Sequence, residues 1–211
     1  MRLLLINTCG AEGVVALAED ASVRAVELLP GRSSSENLLP AVRRLMDECG
    51  WRIAELAAVA VVNGPGSFTG VRVGLSAAKG LCEAGGVGLL AMSRLALVAT
   101  SIDASGEVLA LLDAVRGEYF CGVYNAGVRV SEQLLRAEEV TALRLQRRVV
   151  TCEGRVAESL GVGVELVAEP GPERMLALAL TRIESGEWSD VATADANYLR
   201  RTDAEILVHG R

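Results

Sequence analysis

The amino-acid sequence predicts an α/β protein built from two lobes of related design. Three observations lead to this prediction: three strand patterns open the chain, strand and helix patterns then alternate, and the same order partly begins again after residue 103. A chain of 211 residues has room for two such lobes, since a typical domain has roughly 100 to 150 residues. We therefore divide the chain into lobes 1–103 and 104–211, and expect the last residues to pack back on the first lobe.

Apolar runs and turn-forming residues define the elements of the first lobe. Links rich in small polar residues and glycine join its first three strands, as in an antiparallel meander. Ser33 and Glu36 have the spacing of a capping box, which predicts the start of a helix. One face of that helix is apolar, with Leu38, Leu39, Val42, Leu45 and Met46. The predicted strands are 3–8, 14–19, 23–29, 56–62 and 87–91, and the predicted helices are 33–49, 69–84 and 93–102.

The second lobe repeats the three opening strands, and its later predicted strands and first helix are short. Its predicted strands are 108–113, 119–125, 128–134, 149–151 and 164–167, and its predicted helices are 138–145 and 172–185. The order β-β-β-α-β-α-β of the first lobe is the ribonuclease H-like topology. It is also the repeating lobe of the actin, sugar kinase and Hsp70 superfamily, so we expect this actin-like fold, with a mixed five-stranded sheet in the first lobe.

Composition narrows the class of protein. The net charge of −6 and the pI near 5.0 disfavour direct nucleic-acid binding, because such binders gain most of their affinity from basic residues. The five cysteines form no CxxC pair, so neither a zinc site nor a disulfide framework is indicated. We expect no targeting segment, because only four apolar residues, Leu3 to Ile6, precede Asn7 and Thr8, and we find no apolar run of the roughly 20 residues that span a bilayer. We expect a soluble cytoplasmic protein with reduced thiols.

The glycine-rich segment 63–70 lies between a predicted strand and a predicted helix, where phosphate-binding loops occur. Its glycine spacing matches neither GxGxxG nor GxxxxGK[ST], Pro65 lacks an N–H group, and Lys79 lies nine residues past Gly70. The alternative is that the glycines provide positive φ or close backbone approach, and that Ser67 or Thr69 caps the helix.

Small residues follow on one side of the next helix, at Gly70, Gly74, Ala77 or Ala78, and Leu81. They favour either close contact with the protein's own sheet or close approach of a partner helix. Both interpretations remain open from the sequence. Glycine at positions 74 and 80 costs the helix about 1 kcal/mol each relative to alanine, which suggests that packing clearance matters there.

Side chains for hydrolytic or metal chemistry are scarce. A Ser-His-Asp, Cys-His or histidine-based metal site would need His209, the only histidine, which lies two residues from the end. Asp113 is interpreted as a turn-forming residue or as a base. Asn7 stands where an actin-like first strand commonly ends in aspartate, and a neutral amide cannot balance a divalent cation.

The segment Asn63-Gly-Pro-Gly-Ser-Phe-Thr-Gly-Val-Arg-Val-Gly74 resembles, residue for residue, the GPGSFTG(V/L)R(I/V)G signature of the bacterial TsaB family, also called YeaZ. Further matches extend the resemblance over nearly the whole chain. The motif loop consists of Gly64, Pro65, Gly66, Ser67, Phe68, Thr69 and Gly70, with Arg72 following. The supporting segments are Leu38-Leu39-Pro40, Asp113-Ala-Val-Arg-Gly-Glu118 with Tyr119, and Asn197-Tyr-Leu-Arg-Arg201.

The resemblance implies a non-catalytic scaffold that heterodimerises with the related subunit TsaD and is not a protease. With the P-loop ATPase TsaE, that pair transfers a threonylcarbamoyl group to the adenosine next to the anticodon of ANN-decoding tRNAs. The resemblance implies no intrinsic cofactor, since ATP, ADP and Mg²⁺ are used by the partner subunits. It also implies a self-dimer when TsaD is absent, and contact with tRNA only through the complex.

In this family two helices of the first lobe form the partner surface, which here corresponds to helices 33–49 and 69–84. The interface residues we expect are Leu39, Arg43, Met46, Gly70, Val73, Gly74 and Ala77. Two other functions stay open: an independent actin-like nucleotide-binding enzyme, such as an ATPase or small-molecule kinase, and a hydrolase such as a protease. Asn7 and the incomplete phosphate loop weigh against the first, and the single histidine weighs against the second.

Overall fold

The computed structural model describes residues 1–30 and 34–199. In chain order the strands are β1 (Arg2–Asn7), β2 (Gly13–Glu19), β3 (Ser22–Leu29), β4 (Ala58–Val62), β5 (Gly88–Met92), β6 (Glu107–Asp113), β7 (Glu118–Asn125), β8 (Val128–Arg136), β9 (Arg148–Thr151) and β10 (Val164–Leu166). The α-helices are α1 (Ser34–Cys49), α2 (Phe68–Gly85), α3 (Arg94–Ala99), α4 (Ala137–Leu143), α5 (Gly154–Leu160) and α6 (Pro172–Glu184). In this part of the chain no helix is both long and apolar enough to span a membrane.

The chain forms two compact units, each around one five-stranded sheet. The first unit contains residues 1–97 and 170–196, and the second contains residues 98–169 and 197–199. The strand orders are β3-β2-β1-β4-β5 and β10-β9-β6-β7-β8, so both sheets place their first three strands and their last two in the same relative order. The first three strands of each sheet are antiparallel and the rest are parallel. The predicted actin-like fold is confirmed.

Strand β1 supplies apolar side chains to both faces of the first sheet. Leu4 and Ile6 belong to a core cluster that also contains apolar residues of α1 and α2. Leu3 and Leu5 point the other way and pack in a second cluster. Because side chains alternate along a strand, a strand buried on both faces reads as a continuous apolar run.

Helix α6 belongs to the first unit, which corrects the predicted boundary at residue 103. It packs on β1, β2, β3 and β5, and its buried residues Met175, Leu176 and Ala179 lie in the cluster of Leu3 and Leu5. The sequence shows an apolar face on α6 but not which sheet that face covers. The last residues of the chain are expected to pack back on the first lobe, and residues 170–196 belong to the first unit. Residues 200–211 lie outside the described residues.

In the second unit a core cluster lies under α4 and α5, with Leu109, Leu111 and Val149 among its buried members. Helix α5 was not predicted from the sequence, because it has only seven residues and a single fully buried position, Val156. The predicted helix 138–145 is α4 followed by a 3₁₀ turn at Arg144–Gln146. The cap predicted at Ser33 lies outside the described residues.

Candidate functional site

The motif loop lies between β4 and α2. Ser67 accepts a hydrogen bond from the N–H group of Gly70 (3.3 Å) and is the N-cap of α2, which confirms one of the two caps considered. Gly64 has φ of 113°, a conformation that favours glycine, and its carbonyl accepts the N–H of Arg94 (2.7 Å). The peptide bond between Gly64 and Pro65 is cis.

The loop packs directly on the end of β1. The hydroxyl of Thr8 donates to the carbonyl of Gly70 (2.6 Å), and the N–H of Ser67 donates to the carbonyl of Cys9 (2.9 Å). The thiol of Cys9 donates to the carbonyl of Val62 (3.1 Å). These bonds connect the ends of two adjacent parallel strands, β1 and β4, to the first turn of α2.

Three glycines allow this close packing. A Cβ atom at Gly66 would lie 2.5 Å from the carbonyl oxygen of Cys9. Cβ atoms at Gly70 and Gly74 would overlap the backbone carbonyl and the hydroxyl of Thr8, respectively. The first of the two sequence interpretations, contact with the protein's own sheet, is therefore confirmed for Gly70 and Gly74.

This packing corrects part of the predicted interface. Gly70 and Gly74 are buried and face β1, and Met46 is only 5% exposed within the core below α1. Val73 and Ala77 are half-buried and pack against the same core cluster. The sequence analysis predicted the spacing of these residues correctly. Spacing alone does not show which side of a helix faces the sheet.

Two predicted interface residues on α1 do lie at the surface. The side chain of Leu39 is 54% exposed, and Arg43 is exposed and lies 3.6 Å from Asp47 one turn later. Pro40 is exposed next to them.

The outward side of α2 carries a row of exposed residues that the sequence analysis did not predict. These residues are spaced by four, and we call them the α2 ridge: Phe68, Arg72, Ser76, Gly80 and Ala84. The guanidinium of Arg72 lies over the ring of Phe68, 3.6 Å from its centroid. The signal was present in the sequence as a second small-residue repeat, Ser76, Gly80 and Ala84, which begins two positions after Gly74.

Gly80 differs from the glycines under the helix. A Cβ atom placed there would meet nothing within 4 Å. Contacts within the described residues therefore do not explain why a glycine, which lowers helix stability, occupies this position. Gly80, Ser76 and Ala84 have small side chains or none, so a second helix can approach this part of the ridge closely.

The end of β1 is held by a hydrogen bond of its own side chain. Asn7 is 3% exposed, and its side-chain oxygen accepts the N–H of Cys9 (3.0 Å). The described residues contain no group of three or more potential metal ligands among His, Cys, Asp and Glu. His209 and the pair Arg200 and Arg201 lie outside those residues.

Asp113 forms a turn, as one of its two interpretations predicts. Its carboxylate accepts the N–H of Val115 (2.7 Å), and its own N–H donates to Glu153 (2.6 Å). Val115 and Arg116 both have positive φ in this turn, which is uncommon for residues other than glycine.

Comparison with known proteins gives one consistent result. Residues 29–159 match the family model of TsaD, tRNA N6-adenosine threonylcarbamoyltransferase. The chain is 30% identical to the Escherichia coli tRNA threonylcarbamoyladenosine biosynthesis protein TsaB, and the alignment covers 100% of both chains. It is 28% identical to the solved structure of YeaZ from Pseudomonas aeruginosa, with a TM-score of 0.77 over 94% of this chain and 99% of that chain.

A more distant structure shows the fold alone. The ethanolamine utilization protein EutJ from Carboxydothermus hydrogenoformans has a TM-score of 0.55 at 13% identity, over 85% of this chain and 90% of that chain. The full-length match to TsaB, the match to YeaZ and the signature loop packed on β1 agree with one another. The chain belongs to the TsaB (YeaZ) family.

Proposed function

We propose that this chain is a non-catalytic subunit that heterodimerises with TsaD through α1 and α2. The complex transfers a threonylcarbamoyl group to the adenosine next to the anticodon of ANN-decoding tRNAs. The observation that carries the proposal is the exposed face of these helices, where Leu39 and Phe68 present apolar side chains and the α2 ridge has a low profile. Large exposed apolar residues beside small ones are suited to contact with another protein.

The match to the TsaD family model supports a partner of related fold. The matched residues 29–159 include both α1 and α2. A TsaD protein therefore has helices at corresponding positions, and two related subunits can pair these helices around an approximate two-fold axis. The same geometry allows a self-dimer of this chain when TsaD is absent.

The end of β1 supports a role without catalysis. The amide of Asn7 is committed to the N–H of Cys9, and the motif loop directs its glycines toward the backbone of β1. ATP, ADP and Mg²⁺ are then used by TsaD and by the ATPase TsaE, and tRNA is held by the complex in the cytoplasm. The alternative, an independent actin-like ATPase or kinase, requires that the isolated chain bind Mg-ATP at millimolar concentration, which titration calorimetry measures.

The test of the proposal is size-exclusion chromatography with light scattering, on the chain alone and mixed with TsaD from the same organism. We expect a one-to-one heterodimer. Leu39→Glu should weaken it at least tenfold, because it places a charge in the contact. The matched control is Leu145→Glu, since Leu145 is 79% exposed in the second unit. A wild-type mixture that elutes as separate proteins would overturn the proposal.

A further inference from the structure

Residues 189–196, which we call the strap, follow α6 and run along the first unit. Ser189 pairs with the edge of the sheet: its N–H donates to Leu89 (2.9 Å), and its hydroxyl accepts the N–H of Ala91 (2.9 Å). Asp190 then closes a turn by accepting the N–H and the hydroxyl of Thr193 (2.7 and 2.9 Å). The strap is therefore an ordered segment with its own hydrogen bonds.

Two side chains hold the backbone of the strap from the motif region. The ammonium group of Lys79 donates to the carbonyls of Ala192 (3.2 Å) and Ala194 (2.9 Å). The side-chain amide of Asn63 donates to the carbonyl of Asp195 (3.0 Å). Lys79 lies on α2, one of the two helices of the proposed partner surface, and Asn63 directly precedes the motif loop that leads into this helix.

Lys79 is the only lysine among 21 basic residues. A compact ammonium group has three donors that can turn toward two neighbouring carbonyl oxygens, whereas the guanidinium of arginine is a larger planar fork. The position thus has a geometric reason for lysine. Gly80 of the α2 ridge is the next residue in the chain, so the anchor and the outward ridge are adjacent on one helix.

The strap also contributes apolar side chains to the core below α1 and α2. Val191, Ala194 and Ala196 are partly buried against the cluster that contains Ile6 and Leu45. Loss of the strap would expose this edge of the cluster and remove a support of α2.

Asn197, the residue that follows the strap, is held by a hydrogen bond of its side chain. Asn197 belongs to the second unit, and its amide donates to the carboxylate of Glu132 (2.6 Å). The side chain of Glu132 is 3% exposed and also accepts the hydroxyl of Tyr124. The strap is thus fixed at its far end as well as at Lys79 and Asn63.

We propose that Lys79 is a positioning residue that makes docking of the strap and partner binding on α2 depend on each other. The inference rests on the proposed function, since it concerns the same helix face. A docked strap supports α2 in the position that the partner binds, and a bound partner in turn favours the docked strap. Such a linkage is reciprocal, so each event changes the equilibrium constant of the other by the same factor.

The experiment measures amide hydrogen exchange of the strap and partner affinity for the same variants of the full chain, with TsaD as the partner. In Lys79→Met we expect the amides of Thr193 and Ala194 to exchange at least tenfold faster while those of β1 and β4 are unchanged. We also expect partner affinity to fall several-fold. The matched control is Arg174→Met, which removes one exposed positive charge from the same unit.

A readout specific to linkage separates positioning from simple stabilisation. In the wild type, TsaD should slow exchange of the Thr193 and Ala194 amides. In Lys79→Met this effect should be lost. Asp190→Ala disturbs the strap without changing α2. Even if Lys79→Met folds poorly, Asp190→Ala should lower the affinity for TsaD and should remove the slowing of strap exchange by TsaD.

Three results would overturn the inference. The first is strap exchange in Lys79→Met at the wild-type rate, and the second is faster strap exchange in Lys79→Met with wild-type affinity for TsaD. The third is a change in exchange and affinity in Arg174→Met as large as that in Lys79→Met. A wild type that does not bind TsaD overturns the proposed function together with this inference. A wild type that binds, beside variants that bind equally well, overturns the inference alone.

Discussion

The hydroxyl of Thr8 donates to the carbonyl of Gly70 across 2.6 Å, between residues 62 positions apart in the chain. This bond connects the end of β1 to the first turn of α2. It requires glycine at position 70, because a Cβ atom there would overlap the backbone of Thr8. The signature loop therefore has a structural task inside the first unit, in addition to any contact that its exposed residues make.

Removing the hydroxyl of Thr8 tests this task. Thr8→Val keeps the shape but removes the hydroxyl donor to the carbonyl of Gly70, so we expect the free energy of unfolding to fall by about 0.5–1.5 kcal/mol. Urea unfolding followed by tryptophan fluorescence reports on the first unit, because Trp51 and Trp188 both lie there. Thr8→Ser restores the donor and should recover most of the loss; equal losses in the two variants would contradict the role of the bond.

The glycines of α2 should respond to alanine in opposite directions. Gly74→Ala places a methyl group against the hydroxyl of Thr8 and should lower the free energy of unfolding by about 1–3 kcal/mol. Gly80→Ala meets open space and should raise it by about 0.5–1 kcal/mol, because alanine favours the helix. Urea unfolding of both variants, with the wild type beside them, checks the signs. Destabilisation by Gly80→Ala would show that the position is not open.

The α2 ridge should control partner affinity independently of stability. Gly80→Leu adds a bulky side chain to the low part of the ridge, and we expect it to weaken the TsaD complex at least tenfold while the isolated chain stays folded. Calorimetric titration gives the affinity, and circular dichroism checks the fold. Val162→Leu, at a position 96% exposed in the second unit, is the control. Wild-type affinity in Gly80→Leu would move the contact away from this part of the ridge.

Stability should fall above pH 9 because burial raises the pKa of two thiols, that of Cys82 to about 11 and that of Cys121 to about 12. The native state keeps these protons while the unfolded chain, with thiol pKa values near 9, loses them. The stabilisation is therefore complete below pH 9. It is lost as pH rises to about 11 for Cys82 and to about 12 for Cys121, by up to about 1.4 kcal/mol per pH unit for each thiol.

Unfolding by urea at pH 8, 9 and 10 measures this dependence. Cys121→Ala should show a shallower decrease than the wild type, and the difference between the two isolates the contribution of that thiol from other groups that titrate in this range. Parallel pH curves would contradict it. Cys49, which is only partly buried, provides the matched control as Cys49→Ala.

The sequence predicted the elements and the fold because its strands are buried runs with clear turns between them. The central strands contribute Leu3 to Ile6 and Val59 to Val62, which are fully buried on both faces. It failed where a pattern has two physical solutions. The spacing of Gly70 and Gly74 suits an own-sheet contact as well as a partner, and only the position of Thr8 decides between them. The strap was missed because it offers backbone carbonyls to Lys79 and Asn63, and a carbonyl is the same in every residue type.

The placement of α6 has a consequence for synthesis on the ribosome. Residues 1–97 form a complete five-stranded sheet, yet the face of Leu3 and Leu5 is covered only when Met175 and Leu176 arrive. All of residues 98–169 are translated in between. A nascent chain that stalls before α6 would present an apolar sheet face to solvent, and transiently exposed apolar surfaces favour aggregation. Chain termination or frameshifting between β10 and α6 should therefore give an insoluble product, even though every strand of both sheets has been made.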